Sequence, residues 1–214
     1  MPEPQPVVFL LDDEPAVVTA LSRLLQASGF TVRCWTSAAK FLEAHDAQEP
    51  GCLVTDLRMP EMSGLELQRA LLERGSDRAI VFITGQGDIP TTVRAMKAGA
   101  VSFLPKPVQR AELVAAVEEA ILRDAESRAQ HRERADLVRR LESLTPRERQ
   151  VLELVTTGML NKQIAAELGA AEKTIKVHRG RIMEKMHVRT ATALVGLLSR
   201  AERRGERTRG SLMP

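Results

Sequence analysis

Three aspartates directly follow apolar runs of the sequence. A carboxylate at the end of such a run can bind a metal ion or act as a nucleophile. Asp12 and Asp13 come directly after residues 7–11, and Asp56 comes directly after residues 53–55. Short runs rich in apolar and β-branched residues indicate buried strands. Because ligands of open α/β sheets bind at the carboxyl ends of the strands, we expect these three carboxylates at one edge of a sheet.

Two more polar side chains end apolar runs and are expected at the same edge. Thr84 follows residues 80–83, and Lys106 lies in the Pro-Lys-Pro sequence that ends the run of residues 101–104. Three clustered carboxylates repel one another and need a cation, and oxygen-only ligands favour Mg²⁺ over Zn²⁺. The Lys106 ammonium and the Thr84 hydroxyl would suit an incoming phosphoryl group.

Helical patterns separate these strands. Apolar residues at helical spacing predict helices over residues 16–27, 37–45, 65–75 and 89–98 and from about residue 109, with Ser37 as an N-cap. Strands that alternate with helices predict a parallel sheet covered on both faces.

The chain of 214 residues is long enough for two small domains. It contains no run of 18 apolar residues and no signal-peptide pattern, so we expect a cytoplasmic protein without a membrane segment. Cys34 and Cys52 lack CxxC spacing and lie in or beside predicted strands. Both are therefore expected to be small buried hydrophobic residues.

The charge is distributed unevenly. Residues 1–124 carry a net charge of −5 and residues 125–214 carry +8, within a total of +3. This asymmetry favours two domains and a polyanionic partner for the second one. Residues 125–140 are densely charged and contain neither Gly nor Pro, which predicts a helical linker.

A helical domain is predicted from residue 141. Thr145, Pro146 and Glu148 form the pattern of a capping box with proline at the first helical position. Asn161 is expected to cap a second helix, and two more helices are expected over residues 172–186 and 190–200. The order helix, Gly-containing turn and Lys/Arg-rich helix is typical of a helix-turn-helix. The basic tail, residues 203–210, is predicted to be disordered.

Residues 5–124 resemble the receiver domain of two-component response regulators. The matching residues are Asp12, Asp13, Asp56, Met59, Pro60, Gly64, Thr84, Gly99, Ala100, Lys106 and Pro107. The resemblance implies a flavodoxin-like (βα)5 fold with strand order 2-1-3-4-5. It further implies that Asp56 accepts a phosphoryl group from a sensor histidine kinase.

The same resemblance implies roles for the other residues of the pocket. Asp13, Asp56 and the Arg58 backbone carbonyl would bind Mg²⁺, with Asp12 acting through water, and Lys106 would neutralise a phosphoryl oxygen. Thr84 and Phe103 would form a switch that responds to phosphorylation, although plain core packing explains Phe103 equally well. The switched face would include Arg94, Met96 and Lys97, and we hypothesise that it dimerises after phosphorylation.

Residues 141–200 resemble the LuxR-type DNA-binding domain and, within it, the FixJ-like subgroup. The LuxR-type motifs are Leu-Thr-Pro-Arg-Glu at 144–148, Asn-Lys-Gln-Ile-Ala at 161–165 and Thr-Ile-Lys-Val-His at 174–178. The FixJ-like resemblance rests on His-Arg at 178–179 and Met-Glu-Lys-Met at 183–186. A four-helix domain is implied, with its third helix in the major groove of DNA. The expected DNA-binding residues are Lys173, Thr174, Lys176, Val177, His178, Arg179 and Arg181. Lys176 and Val177 are the expected base contacts, and helix packing is an equal alternative for Val177.

Two positions depart from the pattern of the LuxR-type family. Ala171 stands where relatives often have a capping Ser or Thr, and Gly180 stands where some have a basic residue. Gly180 would leave that contact to Arg179 or Arg181.

The sequence therefore predicts three parts: a receiver over residues 1–124, a helical linker over 125–140, and a LuxR-type domain with its tail over 141–214. The expected function is transcriptional regulation that phosphorylation switches. Promoter DNA is the expected partner, and RNA polymerase is a possible second partner. Catalysis would be limited to the chain's own phosphorylation and dephosphorylation. The alternatives are a constitutive DNA-binding protein whose receiver is a dimerisation scaffold, and a magnesium-dependent phosphatase. The latter lacks the DxD spacing of haloacid-dehalogenase phosphatases.

Overall fold

A computed structural model of the chain describes residues 5–85 and 89–199. Five short strands form one parallel sheet with the order β2-β1-β3-β4-β5. The strands are β1 (Val7–Leu11), β2 (Thr31–Trp35), β3 (Gly51–Asp56), β4 (Ile80–Thr84) and β5 (Ser102–Pro105). This order confirms the predicted topology.

Alternation along the central strands divides the core between the two faces of the sheet. Val8, Leu10 and Val54 pack on one face, and Phe9 and Leu53 pack on the other. Both faces are covered because a helix follows each strand. These helices are α1 (Pro15–Ala27), α2 (Ala38–Ala44), α3 (Gly64–Glu73), α4 (Ile89–Lys97) and α5 (Arg110–Glu142).

Local caps define where several helices begin. Ser37 caps α2 by accepting from the Lys40 backbone N–H, as the sequence predicted. Ser63 and Glu66 form a reciprocal capping box at the start of α3. This box fixes the direction of the chain directly after the loop that follows Asp56.

The two cysteines differ in their surroundings. Cys52 is fully buried in β3, and burial raises the pKa of its thiol to about 12. Cys34 is exposed, so the prediction that it is buried was wrong. The reason is the position of β2 at the edge of the sheet, where only one neighbour, β1, covers the strand.

The chain divides into two compact units, Met1–Ala129 and Gln130–Pro214. The division falls within α5, which also contains the segment predicted as a helical linker. The predicted boundaries at residues 124 and 141 remain predictions. Among the described helices, none has both the length and the apolar character that crossing a bilayer requires.

The second unit is helical. It contains the end of α5, then α6 (Pro146–Thr156), α7 (Asn161–Glu167), α8 (Glu172–Lys185) and a helical stretch over residues 191–199. Thr145 and Glu148 form the predicted capping box, with distances of 2.9 and 3.2 Å from backbone N–H to side-chain oxygen. Buried residues from all of these helices share one core, including Leu137, Val151, Ile164, Ile175, Ile182 and Leu194.

One predicted cap of this unit is corrected by the structure. The N-cap of α7 is Leu160, and Asn161 is already the first helical residue. The Leu160 N–H donates to the side-chain oxygen of Gln163 at 2.8 Å. The helix therefore begins at residue 161, one residue earlier than it would if Asn161 were the N-cap. The predicted disordered tail, residues 203–210, lies outside the described residues.

Candidate functional sites

Two of the predicted aspartates meet because parallel strands bring their carboxyl ends together. β1 and β3 are neighbours with Leu11 opposite Thr55, so Asp12 and Asp56 extend from adjacent positions. Both side chains are buried, with 1% and 8% of the residue exposed. Asp13 completes a cluster whose carboxylate oxygens lie within 4.8 Å of one another.

Lys106 provides the positive charge in this cluster. Its Nζ donates to Asp12 Oδ2 at 2.8 Å and to Asp56 Oδ2 at 2.9 Å. The lysine directly follows β5, and its backbone N–H donates to the Thr84 carbonyl at 2.7 Å. Strands β1, β3, β4 and β5 thus deliver the predicted residues to one edge of the sheet.

The environment of Lys106 keeps it charged. Burial alone would lower the pKa of this ammonium, but the hydrogen bonds and negative charges of Asp12 and Asp56 outweigh burial and raise it. Lys106 is therefore charged at neutral pH.

Backbone donors hold the other oxygen of each carboxylate. The Glu14 N–H donates to Asp12 Oδ1 at 2.9 Å, and the Arg58 N–H donates to Asp56 Oδ1 at 3.2 Å. Each carboxylate is consequently held between one backbone N–H and the Lys106 ammonium. This arrangement fixes the orientation of both side chains before any ligand arrives.

Gly64 is required for a steric reason that the motif alone did not reveal. A Cβ at this position would lie 2.6 Å from the Asp56 carbonyl oxygen and 2.8 Å from Cε1 of Phe82. The Gly64 N–H also donates to the Leu57 carbonyl at 2.9 Å. The loop after Asp56 can therefore close against β3 and β4 only with glycine here.

The cluster fits a small hard cation. Asp12, Asp13 and Asp56 offer only oxygen ligands, which suits Mg²⁺. Two of the three carboxylates are already balanced by one ammonium, which leaves net negative charge for a divalent ion. The Arg58 carbonyl belongs to the same loop, and its role as a ligand remains a prediction.

The predicted switch residues lie on β4 and β5. Thr84 is buried at the carboxyl end of β4, beside the carboxylate edge. Phe103 is half-buried, and its ring centroid lies 6.3 Å from that of Phe82. Phe103 packs at the margin of the core on its face of the sheet, so it is neither sealed inside nor fully solvated.

The predicted dimerisation residues lie on α4. Arg94, Met96 and Lys97 are all exposed. The structure adds Val93, which sequence reasoning missed and which is 44% exposed, as is Met96. The sequence feature that could have identified Val93 is its position three residues before Met96, which places both apolar side chains on one side of the helix. Their role in dimerisation remains a prediction.

The predicted DNA-binding residues divide into two groups on α8. Lys173, Thr174, Lys176, Val177 and Arg181 are exposed. Val177 is 48% exposed, so core packing does not explain its presence. His178 and Arg179 are half-buried, and Arg179 Nη1 donates to Asn161 Oδ1 at 2.8 Å. The structure thus presents five of the seven predicted side chains to solvent and turns Arg179 towards α7.

Two family models match the chain. The family described as "Response regulator receiver domain" matches residues 8–118, which contain the whole carboxylate cluster. The family described as "Bacterial regulatory proteins, luxR family" matches residues 142–198, which contain α6 to α8. The chain belongs to the response regulators with a LuxR-family output domain.

Curated relatives match over most of the chain and most of their own length. The chain is 46% identical to the response regulator protein TodT of Pseudomonas putida over 194 residues, which is 91% of this chain and 86% of TodT. It is 45% identical to the transcriptional regulatory protein FixJ of Azorhizobium caulinodans, over 91% of this chain and 92% of FixJ.

Solved structures support the same membership. The response regulator StyR has a TM-score of 0.84 and 48% identity, over 92% of this chain and all of that chain. Full-length FixJ from B. japonicum has a TM-score of 0.56 and 38% identity, over 92% of this chain and 97% of that one. The FixJ-like resemblance seen in the sequence is confirmed.

Membership sets the general class of the protein. A response regulator is a signalling protein rather than a typical enzyme. Its receiver domain implies a sensor kinase as partner, and its LuxR-family domain implies DNA as ligand.

Proposed function

We propose that this response regulator accepts a phosphoryl group on Asp56 from a sensor histidine kinase and controls transcription by binding promoter DNA. The observation that carries the proposal is the position of Asp56. Its carboxylate is buried at the carboxyl end of β3, 2.9 Å from the Lys106 ammonium. Asp12 and Asp13 lie beside it.

The transfer is a displacement at phosphorus. An Asp56 carboxylate oxygen attacks the phosphorus of a phosphohistidine, and a P–O bond forms as the P–N bond breaks. The imidazole nitrogen keeps the electron pair of the broken bond and takes a proton from solvent. The product is an acyl phosphate, which water hydrolyses, so the signal is self-limiting.

The residues around Asp56 prepare this step. The Arg58 N–H and the Lys106 ammonium hold the carboxylate in place, and Lys106 can pair with a phosphoryl oxygen once one is present. Asp12, Asp13, Asp56 and the Arg58 carbonyl would hold Mg²⁺, which neutralises the developing charge on the phosphoryl oxygens when bound. Catalysis is confined to the chain's own phosphorylation and dephosphorylation.

The output follows from charge and exposure. Phosphorylation adds about −1.5 to −2 charges beside Thr84, which we propose as the switch together with Phe103. The exposed face of α4 would then dimerise.

In the second unit, α8 would lie in the major groove and the exposed Lys and Arg residues would contact phosphates. A contact with RNA polymerase would follow at the promoter, and the protein would act in the cytoplasm, where promoter DNA lies.

Phosphorylation is tested with acetyl phosphate and Mg²⁺ on the full-length chain, followed by intact-mass spectrometry. We expect one phosphoryl group on the wild type and on Glu73→Gln, a control that removes an exposed carboxylate from α3. We expect none on Asp56→Asn. Stoichiometric phosphorylation of Asp56→Asn would place the acceptor elsewhere and contradict the proposal.

DNA binding is tested in the same samples with a duplex selected from a random pool. Phosphorylated wild type should bind the selected duplex more tightly than unphosphorylated wild type, while Asp56→Asn should not respond to acetyl phosphate. Equal, tight binding by all samples would mean that DNA binding is constitutive and that phosphorylation has no part in it.

A further inference from the structure

Arg179 lies on the side of α8 that faces the core of the second unit. It follows Ile175 by four residues and precedes Ile182 by three, and both isoleucines are fully buried. Residues three and four apart share a helix face. Lys173, Lys176, Val177 and Arg181 are exposed, whereas Arg179 is half-buried. Arg179 is thus less exposed than these four residues and shares a helix face with the two buried isoleucines.

The guanidinium of Arg179 is used within the protein. Its Nη1 donates to Asn161 Oδ1 at 2.8 Å and lies 3.5 Å from the Met159 carbonyl oxygen. Both acceptors are at the start of α7. The side chain therefore links α8 to the first turn of the other helix of the helix-turn-helix.

Within the described part of the chain, the starts of these helices have little side-chain capping beyond the bond from the Leu160 N–H to the Gln163 side chain. Ala171, the N-cap of α8, makes no side-chain hydrogen bond, and Leu160, the N-cap of α7, has no polar side chain. The apolar contacts of Ile164, Ile175 and Ile182 hold the two helices together, but apolar packing is non-directional. A charge-assisted hydrogen bond is directional and stronger than a neutral one.

The placement of α7 against α8 matters for DNA because basic residues lie on both helices. Lys162 on α7 and Lys176 on α8 are exposed and line one cleft of about 520 Å³. The complete lining is Leu160, Asn161, Lys162, Glu172, Lys176 and Arg179. A phosphate contact from α7 and a base contact from α8 can form together only if the two helices keep a fixed relation.

We propose that Arg179 is a positioning residue that holds α7 in register with α8, and that the phosphate contact expected of it is made by Arg181. The inference rests on the proposed DNA-binding function. It assigns to Arg181 the DNA contact that the glycine at position 180 leaves to either Arg179 or Arg181. Asn161 is the partner through which Arg179 acts.

The test compares two duplexes with the full-length chain: one selected from a random pool by the wild type, and one of unselected sequence. Kd is measured over a range of salt concentrations for Arg179→Ala, Asn161→Ala, the double variant and Arg181→Ala. Arg179→Ala should weaken binding to the selected duplex about tenfold, as loss of one charge-assisted hydrogen bond implies. It should leave binding to the unselected duplex and the salt slope almost unchanged.

Arg181→Ala provides the contrast. It should weaken binding to both duplexes, and its salt slope should fall by about 0.9, the value for one phosphate contact. Asn161→Ala removes no charge, yet it should reproduce the effect of Arg179→Ala. The double variant should be no worse than either single variant, because both substitutions break the same link.

Other outcomes overturn the inference. If Arg179→Ala lowers binding to both duplexes equally, or reduces the salt slope by about one phosphate contact, Arg179 binds DNA directly or serves only general folding. Additive losses in the double variant would also contradict a shared role. Failure of the phosphorylated wild type to bind either duplex would instead contradict the proposed function itself.

Discussion

At the scale of the residue, the pocket is a balance of charges around Lys106. Its ammonium lies 2.8 Å from one buried carboxylate and 2.9 Å from another. Without it, Asp12 and Asp56 would face each other with no cation between them, and like charges in a site of low polarity are costly. The lysine therefore has a structural role that precedes any role in phosphoryl transfer.

Lys106→Met is expected to lower the free energy of unfolding by about 1–3 kcal/mol in the absence of divalent ions, since it leaves two carboxylates uncompensated. Added Mg²⁺ should recover most of this loss, because the ion replaces the missing cation. Thermal unfolding with and without Mg²⁺ measures both effects. The control is Lys97→Met, an exposed lysine on α4, and an equal response to Mg²⁺ in the two variants would contradict the explanation.

His45 gives the first unit a specific pH dependence. Burial, and then the charge of Arg78, lower its pKa from 6.5 to about 4, although Asp46 opposes them and Arg74 adds a smaller lowering. The folded state thus binds a proton at His45 less readily than the unfolded state does. The contribution of His45 to stability is complete above about pH 6.5 and is lost as the pH falls towards 4.

His45→Gln should remove this part of the pH dependence. Glutamine does not titrate, and it is able to keep a hydrogen bond to Ser76, which lies 3.0 Å from Nε2 of His45. We expect the wild type to lose stability more steeply than His45→Gln between pH 6.5 and 4. Denaturant unfolding over this range is the measurement, and parallel pH profiles would show that His45 does not titrate as described.

Individual residues also show what a sequence can predict. Asp12, Asp56, Thr84 and Lys106 were predictable because each ends an apolar run, and parallel strands bring such ends together. For Arg179 the DNA contact remains a prediction: its chemistry suits phosphate, while its place on the helix, four residues after Ile175, brings it to Asn161 on α7. The exposure of Cys34 depends on which strand lies at the edge of the sheet, and one strand's own residues do not specify this.

At the scale of the element, α5 is held to the base of the sheet by a buried ion pair. Asp124 on α5 accepts from the Gly51 N–H at 3.0 Å and lies 3.8 Å from Nη1 of Arg78. Burial raises the pKa of Asp124 even though Gly51 and Arg78 act against it. The carboxylate is therefore only partly compensated for its removal from water.

Arg78 has more partners than Asp124. Its guanidinium donates to the carbonyls of Asp46, Glu49 and Gly51 at 2.7, 2.7 and 3.0 Å. It also lies 4.7 Å from the centroid of the Phe9 ring. The arginine thus ties the loop before β3 to the segment before β4, as well as binding α5.

We expect Arg78→Met to destabilise the first unit by about 3–5 kcal/mol, because it leaves three carbonyls without their donor and removes a cation that faces the buried Asp124 carboxylate. Asp124→Asn should lower the free energy of unfolding by less, since the amide oxygen can still accept from the Gly51 N–H. The raised pKa of Asp124 also indicates that burying its charge is unfavourable. Free energies of unfolding from denaturant titration give the ranking. A larger loss for Asp124→Asn would mean that the ion pair matters more than the carbonyl contacts.

At the scale of the whole molecule, the pattern of elements was the most predictable part. Alternating strands and helices, followed by helices alone, specify the two folds because each element must bury its apolar face. The continuity of α5 through residues 125–140 followed from a segment with neither Gly nor Pro. The association of two copies depends on surface residues, which the periodicity of the sequence does not identify. On the exposed face of α4, the structure adds Val93 to the three residues predicted for dimerisation, Arg94, Met96 and Lys97.

Phosphorylation is expected to convert the molecule to a dimer through α4, whose exposed face combines apolar Val93 and Met96 with basic Arg94 and Lys97. Apolar side chains at the centre of an interface carry most of its affinity, and a charge placed there opposes association. Met96→Asp should therefore prevent the dimer that acetyl phosphate and Mg²⁺ induce in the wild type. Sedimentation over a range of protein concentrations measures the association.

Leu72→Asp is the matched control, because Leu72 is 42% exposed, close to the 44% of Met96, but lies on α3. It should dimerise like the wild type, and both variants should still take up one phosphoryl group by mass. If Met96→Asp dimerises normally, the interface lies elsewhere on the molecule. If the phosphorylated wild type stays monomeric at every concentration, phosphorylation acts without dimerisation, and DNA binding by the monomer would have to account for the response.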